Sequence, residues 1–407
     1  MNLKIKHIVK GLPGVSQLYS IFRGKKFSIE SLPKINPRFV DSNDLRITLI
    51  VPSFNSSDVY GGLSTALSIF KSVLDETNAK GRILVLSGKY NKDTYKVDNF
   101  LYDGTNGNLL FCCENDSIEV GQNDIFITTF WTTTLCVMPV VQQQIQHFCL
   151  KNRKLVYLIQ DYEPGFYPWS TEYVLADSTY KNNSENILAF FNTKLLYSYF
   201  NANNYNFGES IVFNPQLNSK LRDLLPTKSK AREKIILIYG RPNVPRNCFD
   251  LIKSSLLLWT KEYGRSSEWK IISLGSKFNN VKLVNNTIIS KGKVSLIEYA
   301  NYMNNAFVGI SLMESPHPSY PPLEMSTFGV KTITNSYSCK DLSGFNKNII
   351  SMDFCTPQEI CDKLIQICND YYTNPLGEIS LNKDYVGGEN FNSSVKLLSK
   401  KISEMVN

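Results

Sequence analysis

Short apolar runs alternate with longer amphipathic segments from Leu45 onward. The runs are continuous stretches of Val, Ile and Leu, which is typical of parallel strands whose two faces are both covered by helices. In the first part of the chain they predict six strands with helices between them. The strands are Arg46–Val51, Arg82–Leu86, Asn108–Cys112, Ile125–Thr129, Leu155–Ile159 and Leu188–Phe191, and the main helices are Leu63–Leu74, Thr133–His147 and Thr193–Phe200.

A second series of the same kind follows the polar, basic segment 226–232. Its strands are Ile235–Tyr239, Trp269–Leu274, Phe307–Ser311 and Lys331–Thr334, and its helices are Asn247–Glu262, Ser295–Asn304, Pro321–Phe328, 357–371 and Ser394–Met405. Alternating strands and helices predict doubly wound sheets. We therefore predict an α/β fold with two Rossmann-like domains, residues 41–228 and 229–385, followed by a last helical segment, 386–407.

The net charge of +8 lies mostly in one place. Residues 1–40 hold eight Lys and Arg side chains against the single acid Glu30, so this segment is a basic arm and the remaining chain is nearly neutral. The arm would rest on an anionic membrane surface or extend as a solvated segment. A nucleic-acid-binding protein would carry its basic stripe across the folded body, and the sequence disfavours that class.

The chain lacks an apolar run near the ~20 residues that span a bilayer, and its N-terminus lacks the apolar stretch of a secretory signal. We therefore expect a cytoplasmic protein. Three histidines, His7, His147 and His317, are too few for a multi-histidine metal site.

Candidate binding residues follow the predicted strands, because ligands of open α/β sheets lie beyond the carboxyl ends of the strands. Gly61 and Gly62 follow the first strand and precede a helix, where paired glycines let a backbone approach a ligand. An ordinary strand-to-helix turn has the same pattern. Neither a GxGxxG fingerprint nor a P-loop occurs in the chain.

Acids and aromatic residues follow the strand that ends at Ile159, in the segment QDYEPGFYPW. Asp161, Tyr162 and Glu163 would bind sugar hydroxyls and stack on a sugar ring. Alternatively, the two acids would hold a divalent metal that neutralises a nucleotide diphosphate. They would also be explained as acids that cap a helix.

Basic residues follow the first strand of the second series, in YGRPNVPRN. Arg241 and Arg246 flank a proline-stiffened loop, and guanidinium groups near a helix N-terminus favour an anion such as a phosphate. Lys293 precedes another predicted helix and would add a third positive charge, although such a lysine is more often solvated.

The segment 311–334 combines a strand end, a proline-rich loop and a helix that begins at Pro321-Pro322. Glu324 is predicted in the first turn of this helix, where the helix dipole favours an acid. It would also accept hydrogen bonds from a ribose diol while the helix N-terminus faces phosphates.

Three segments resemble a known family: IQDYEPGFYPWSTEYVLADSTY (159–180), YGRPNVPRN (239–247) and SLMESPHPSYPPLEMSTFGVKTITN (311–335). The chain resembles the two-domain GT-B glycosyltransferases of glycosyltransferase family 4, and within them the WsaF-like bacterial rhamnosyltransferases. The similarity extends over most of residues 40–400. It departs from the wider family at Pro316, where that family has a glutamate.

The resemblance implies a nucleotide-sugar donor in the C-terminal domain and an acceptor mainly in the N-terminal domain, with the last helix crossing back to the first domain. It places Glu324 on the donor ribose and Arg241, Arg246 and Lys293 on the diphosphate. Arg241, Lys293 and Glu324 would carry catalysis. The remaining implied residues are, on the donor side, Tyr320, Pro322 and Leu323, and on the acceptor and cleft side, Gly61, Gly62, Asp161, Tyr162, Glu163 and His317.

The expected function is transfer of L-rhamnose from dTDP-L-rhamnose to a cell-surface glycan such as an O-antigen, a capsule or an S-layer glycan, with retention and without a metal. The expected acceptor is lipid-linked or an oligosaccharide, with peripheral membrane contact through residues 1–40 on the inner face of the cytoplasmic membrane. Two alternatives remain. One is a metal-dependent GT-A transferase that uses Asp161 and Glu163, and the other is a non-catalytic sugar-binding or scaffold subunit.

Overall fold

The structure is a computed structural model that describes residues 28–52, 61–86, 109–111 and 117–406. Each half of the chain forms a seven-stranded sheet. Two short parallel strands, β1 (Asn36–Phe39) and β5 (Ser117–Val120), form a separate small sheet in the first half. The fold is α/β with two Rossmann-like domains, and the predicted fold class is confirmed.

The N-terminal domain is built on an entirely parallel sheet in the order β4-β3-β2-β6-β7-β8-β9. Its central strands are buried on both faces, which is why the sequence reads there as unbroken apolar runs. The strands are β1 (Asn36–Phe39), β2 (Arg46–Val51), β3 (Lys80–Val85), β4 (Leu109–Phe111), β5 (Ser117–Val120), β6 (Asp124–Thr128), β7 (Leu155–Ile159), β8 (Ile187–Asn192) and β9 (Glu209–Phe213), and the helices are α1 (Gly62–Thr77), α2 (Trp131–Phe148), α3 (Thr171–Lys181) and α4 (Lys194–Ala202).

The C-terminal domain repeats this plan in the order β12-β13-β11-β10-β14-β15-β16, with only β12 antiparallel to its neighbour. Two apolar clusters cover its two faces. The short helix α5 (Ser219–Arg222) precedes the C-terminal domain. The strands of this domain are β10 (Glu233–Gly240), β11 (Lys270–Gly275), β12 (Val281–Lys282), β13 (Thr287–Gly292), β14 (Ala306–Ile310), β15 (Lys331–Asn335) and β16 (Ile349–Met352). Its helices are α6 (Phe249–Glu262), α7 (Leu296–Asn305), α8 (Tyr320–Thr327) and α9 (Pro357–Thr373).

The chain ends in α10 (Lys383–Gly387) and α11 (Glu389–Glu404). Helix α11 packs on α1 and β9 of the N-terminal domain. Its apolar face carries Phe391, Val395, Leu398 and Ile402 into the core of that domain. The expected return of the last helix to the first domain is therefore confirmed.

The predicted basic arm, residues 1–40, is described only in part. Residues 1–27, which hold six of the arm's eight positive side chains, lie outside the described residues. The arm's last residues form β1, which pairs with β5, so this end of the predicted arm belongs to the folded domain. No described helix is long and apolar enough to span a bilayer.

The last residue of the predicted linker, 226–232, belongs to the folded C-terminal domain. Arg232 is buried, and its guanidinium donates to the carbonyl oxygens of Met303 and Phe328 at 2.8 and 2.6 Å. This arginine therefore ties the start of β10 to the ends of α7 and α8.

Candidate functional site

Loops at the carboxyl ends of the two sheets meet between the domains. Asp161 follows β7, and its carboxylate lies 3.0 Å from the guanidinium of Arg246, which follows β10. The same carboxylate accepts a hydrogen bond from Ser315, in the loop after β14. The Arg246 guanidinium also lies 3.8 Å from the ring centroid of Phe166. Asp161 therefore lies in the cleft, and Arg246 is paired with it across the cleft. Binding of a diphosphate by Arg246 stays a prediction.

Tyr320 makes a second contact across the cleft. Its hydroxyl lies 3.1 Å from Thr65 Oγ1 on α1 and accepts a hydrogen bond from Asn192 Nδ2, at the end of β8, at 3.0 Å. This tyrosine was predicted to bind the donor, but its hydroxyl joins the two domains here. Asn192 and Thr65 had no motif to mark them in the sequence.

The two glycines that precede α1 differ in their surroundings. Gly61 is exposed and has a φ of +56°, a conformation that favours glycine. Gly62 begins α1, and a Cβ at this position would lie 3.2 Å from the side chain of Gln160, the residue before Asp161. Gly62 therefore lies beside the loop after β7, whereas a Cβ at Gly61 would not contact it. A role of the two glycines at the cleft stays a prediction.

Three neighbouring strands of the C-terminal sheet, β10, β11 and β13, all end in glycine: Gly240, Gly275 and Gly292. A Cβ on Gly240 would lie 2.3 Å from Ser273 Oγ, and Gly275 has a φ of +110°. A Cβ at each of these positions would come within 3.1 Å of a protein atom, so the glycines let the strand ends and their neighbouring loops pack closely.

Arg241 and Lys293 directly follow two of these glycines. Arg241 is half-buried, and its Cγ would lie 3.2 Å from a Cβ on Gly275. Lys293 is exposed and comes directly after Gly292. The sheet order places β13, β11 and β10 side by side, so both cations stand on the same edge of the C-terminal sheet.

Glu324 is a half-buried acid in α8. Its carboxylate accepts a hydrogen bond from the Tyr299 hydroxyl at 2.9 Å, and burial raises its pKa to about 7. Since α8 begins at Tyr320, Glu324 is its fifth residue and lies in the second turn. The prediction of a first-turn acid favoured by the helix dipole is therefore wrong.

Two residues predicted to bind the donor are buried within α8. Leu323 is part of the apolar cluster beneath the C-terminal sheet, and Pro322 is buried beside it. Neither side chain is available to a ligand, because both are enclosed by protein. The prediction that these side chains line the donor site is corrected.

Glu163 does not line the cleft, and that prediction is wrong. Its carboxylate is enclosed in the N-terminal domain, where it accepts hydrogen bonds from the backbone N–H of Trp131 at 2.6 Å and from the Tyr157 hydroxyl at 2.9 Å. Trp131 is the first residue of α2, so Glu163 binds the N-terminus of that helix. Burial raises the pKa of Glu163 to about 8.

An open pocket of about 670 Å³ lies beside the Asp161 loop. Most of its walls come from the N-terminal domain, and Tyr337 adds a wall from the C-terminal domain. Tyr162, predicted for the cleft, is in this pocket, and its hydroxyl bonds to those of Tyr205 and Tyr173 at 2.9 and 3.3 Å. The lining is Tyr162, Gly165, Tyr167, Pro168, Trp169, Tyr173, Asp177, Lys181, Tyr199, Asn203, Tyr205 and Tyr337.

A buried lysine supports the loop after β14. Lys340 is fully enclosed, and its ammonium donates to the Met313 carbonyl oxygen at 2.5 Å. Burial lowers its pKa to about 8. The Met313 N–H donates to Asn335 Oδ1 at 2.7 Å, so both backbone groups of this residue are held. Lys340 belongs to no sequence pattern that would have identified it, and Asn335 ends the 311–335 segment without having been assigned a role.

His317 is the other buried titratable group of this loop, and burial lowers its pKa to about 4. Its ring Nδ1 accepts a hydrogen bond from the backbone N–H of Ser319 at 3.0 Å. The backbone N–H of His317 donates to Ser315 Oγ at 3.0 Å. Since Ser315 donates to Asp161, the predicted cleft residue His317 is connected to the contact between the domains.

The metal-dependent alternative is contradicted, because it requires a GT-A fold and a pair of acids free to bind an ion. Asp161 is paired with Arg246, and Glu163 is enclosed. In the part of the chain that the structure describes, the one group with metal-ligand spacing is Glu262, Cys361 and Asp362, on α6 and α9. It does not include either predicted ligand.

Comparisons with known proteins agree with this architecture. HepE from Anabaena, solved in complex with UDP-glucose, superposes with a TM-score of 0.54 at 9% identity, covering 89% of this chain and 97% of that one. A sucrose-phosphate synthase from Thermosynechococcus elongatus gives a TM-score of 0.50 at 10% identity, covering 89% and 95%. At these identities the likeness shows the fold alone, and that fold is GT-B.

A curated relative, the O-antigen biosynthesis protein RfbC of Myxococcus xanthus, is 27% identical over 214 residues, 52% of this chain. The match spans only 15% of the length of that relative. Two family models also match, the N-terminal domain of WsaF over residues 46–194 and the C-terminal domain of WsaF over residues 234–365. Together they cover most of the chain, which therefore belongs to the WsaF family, with both domains present in a GT-B fold.

Proposed function

We propose that the chain is a retaining glycosyltransferase that transfers L-rhamnose from dTDP-L-rhamnose to a cell-surface glycan such as an O-antigen, a capsule or an S-layer glycan. One observation carries the proposal: the loops at the carboxyl ends of both sheets meet, with Asp161 and Asn192 on one side and Arg246 and Tyr320 on the other. Open α/β sheets bind ligands at this edge. The WsaF family match and the name of the O-antigen relative support the glycan pathway.

The donor would bind at the C-terminal sheet. Arg241 and Lys293, which directly follow the glycine ends of β10 and β13, would supply positive charge beside the diphosphate. Glu324 would accept a hydrogen bond from the 3′-hydroxyl of the donor's deoxyribose when it is ionised. Its bond from Tyr299 fixes one carboxylate oxygen and leaves the other for the ligand.

The reaction would be a front-face substitution. The bond between the anomeric carbon and the diphosphate oxygen breaks, and the acceptor oxygen bonds to the same face of that carbon. The departing nucleoside diphosphate keeps the electron pair of the broken bond and so has three negative charges. It takes up the acceptor proton and leaves with two. Arg241 and Lys293 would stabilise the charge that develops on the diphosphate, and groups of this kind typically contribute about 3–4 kcal/mol each.

The acceptor would occupy the pocket beside the Asp161 loop. Aromatic faces stack on sugar rings, and Trp169, 95% exposed at this pocket, offers the most open one. Asp177, Lys181 and Asn203 add hydrogen-bonding groups for sugar hydroxyls. An oligosaccharide, free or carried on a lipid, matches this polar and aromatic lining. Replacing Trp169 with Ala should weaken acceptor binding while leaving donor hydrolysis unchanged.

The test is transfer of labelled sugar from a panel of dTDP-, UDP- and GDP-sugars to glycan acceptors, with and without EDTA. We expect turnover of dTDP-L-rhamnose that EDTA does not affect. Loss of turnover with EDTA would overturn the metal-independent chemistry, and turnover of a different nucleotide sugar would overturn the choice of rhamnose.

The remaining alternative is a non-catalytic sugar-binding subunit. Donor hydrolysis or transfer would exclude it. Thermal stabilisation by nucleotides separates the cases further, because a ligand at 100 times its dissociation constant stabilises the fold by about 2.7 kcal/mol. If no nucleotide stabilises the protein and none of the panel is turned over, the transferase proposal fails.

A further inference from the structure

His317 has one buried polar atom that the fold leaves unused. The side chain is 6% exposed, and its Nε2 finds no hydrogen-bond partner among the described residues. Buried polar groups in folded proteins are almost always hydrogen-bonded, so this atom in the cleft is one for which a ligand can supply the partner. His317 lies in the loop after β14, at the edge of the sheet where ligands bind.

The hydrogen bond at the other ring nitrogen determines what Nε2 can do. The Ser319 N–H donates to Nδ1 at 3.0 Å, so Nδ1 carries a lone pair and cannot carry a proton in the neutral ring. The proton of the neutral imidazole therefore lies on Nε2, which becomes a donor. Burial keeps the ring neutral, since it lowers the pKa of His317 to about 4.

The surroundings keep this donor fixed in place. The backbone N–H of His317 donates to Ser315 Oγ at 3.0 Å, and Pro316 and Pro318 restrict the backbone on either side. Three charged groups act on the ring: Asp161 from the N-terminal domain, and Arg246 and Lys340 from the C-terminal domain. Asp161 is already occupied by Arg246 and Ser315, so it is not the missing acceptor.

We propose that His317 is a sugar-binding residue whose Nε2–H donates a hydrogen bond to a hydroxyl of the transferred sugar, and so contributes to donor specificity. This inference rests on the proposed transferase function. A neutral N–H in a fixed position is suited to a neutral hydroxyl group. The charged diphosphate would instead be bound by Arg241 and Lys293, which follow the ends of β10 and β13. The hydroxyl that accepts from His317 still has its own proton to donate elsewhere in the cleft.

The binding test compares each donor with its own free nucleotide. For the nucleotide sugar that the transfer panel identifies, calorimetry should show that His317→Phe weakens binding about tenfold and leaves the free nucleotide unchanged. His317→Gln restores an N–H donor near the same place and should recover part of the affinity. The control is His147→Phe, which removes an exposed imidazole stacked on Phe39 in the N-terminal domain and should change neither affinity.

Nucleotide sugars that each lack one hydroxyl identify the group that His317 contacts. The form that lacks the contacted hydroxyl should bind to wild type and to His317→Phe with the same affinity, because neither complex then has the hydrogen bond. Unchanged affinity of His317→Phe for every donor would overturn the proposal. Equal weakening for the nucleotide sugar and the free nucleotide would overturn the sugar contact in favour of a nucleotide contact. Wild type that binds neither would overturn the transferase function itself.

A measurement on the unaltered side chain tests the tautomer directly. The chain has only three histidines, so ¹⁵N-histidine spectra can be assigned with His147→Phe and His317→Phe. We expect His317 to stay neutral, with its proton on Nε2, from pH 5 to pH 8. A proton on Nδ1, or a ring that becomes charged in this range, would overturn the assignment.

Discussion

Glu324 is the residue whose charge should control donor binding near neutral pH. Burial raises the pKa of this carboxyl to about 7, so it is largely protonated at pH 6 and largely ionised at pH 8. The ionised form only accepts hydrogen bonds and accepts them more strongly, whereas the protonated form has an O–H that donates. Affinity for a nucleotide sugar, whose diphosphate does not titrate in this range, should therefore rise from pH 6 to pH 8.

Glu324→Gln is the matched control, because it keeps the size and one acceptor but does not titrate. Its affinity for the same nucleotide sugar should be weaker at pH 8 and nearly independent of pH. Calorimetry at three pH values measures both. A wild-type affinity that is flat over this range, or falls as the pH rises, would remove Glu324 from the ribose site.

Arg241 and Lys293 are the cations whose loss should affect the chemical step. Replacing either with Ala should lower turnover by about 100-fold, because each would stabilise charge on the leaving diphosphate. Lys270→Ala is the control, since Lys270 begins β11 at the opposite edge of the same sheet and is exposed. Rates are compared at saturating donor. Near-wild-type rates in both site variants would contradict the diphosphate assignment.

At the scale of single residues, the sequence located strand-end positions better than it located side-chain roles. Asp161 and Arg246 were both placed after strands, yet their pairing across the cleft depends on how two domains meet. Glu163 stands two positions from Asp161 but turns into the core to bind α2, more than 30 residues earlier in the chain. Residue type and spacing do not encode such long-range choices.

At the scale of elements, Asp124 at the start of β6 should support the N-terminal sheet. Its carboxylate receives two hydrogen bonds from Arg46, at 2.8 and 2.6 Å, and lies 3.8 Å from Arg82. Both Asp124 and Arg82 are buried. Asp124→Asn would leave buried guanidinium charge uncompensated, which should lower the free energy of unfolding by about 3 kcal/mol.

Asp44→Asn is the same substitution in an exposed pair, with Lys80, and should have little effect. Urea unfolding followed by circular dichroism compares the two variants with wild type. If both variants lose the same stability, the buried cluster is not what supports the amino edge of this sheet.

Elements with unbroken apolar runs could be predicted closely, and weakly patterned ones could not. The predicted strands 46–51 and 155–159 match β2 and β7 residue for residue. The strands β1, β5 and β9 and the helix α3 were not predicted, because their burial alternates or they carry many polar residues. Their positions are determined by pairing and packing, which a local pattern does not contain.

At the scale of the whole molecule, a small polar contact joins the two domains across the cleft, in addition to the Tyr320 contact and the packing of α11 on the N-terminal domain. The Asp161–Arg246 pair is mostly shielded from solvent, with side chains 13% and 23% exposed, and it is reinforced by Ser315 and by the Phe166 ring. Partly buried pairs keep much of their attraction, because solvent screens them less than exposed ones. We expect this pair to favour the closed arrangement of the domains.

Asp161→Asn removes the pair while preserving the size of the side chain and its acceptor for Ser315. The variant should sample a more open cleft, which small-angle X-ray scattering would detect as a larger radius of gyration. Arg246→Gln should open the cleft to the same extent, and the double variant should add little, because both changes break one interaction. A nucleotide sugar should close wild type and the Asp161→Asn variant alike if Arg241 and Lys293 bind the diphosphate.

Lys253→Ala, which breaks an exposed pair with Asp250 on α6, is the control and should leave the scattering unchanged. If Asp161→Asn scatters as wild type while Arg246→Gln alone weakens donor binding, Arg246 is a donor ligand rather than an interdomain contact. The original sequence-based assignment of Arg246 would then hold, and the pair would be an arrangement that the donor replaces. If Asp161→Asn and Arg246→Gln open the cleft equally, the Asp161–Arg246 ion pair stabilises the closed arrangement of the domains before any substrate binds.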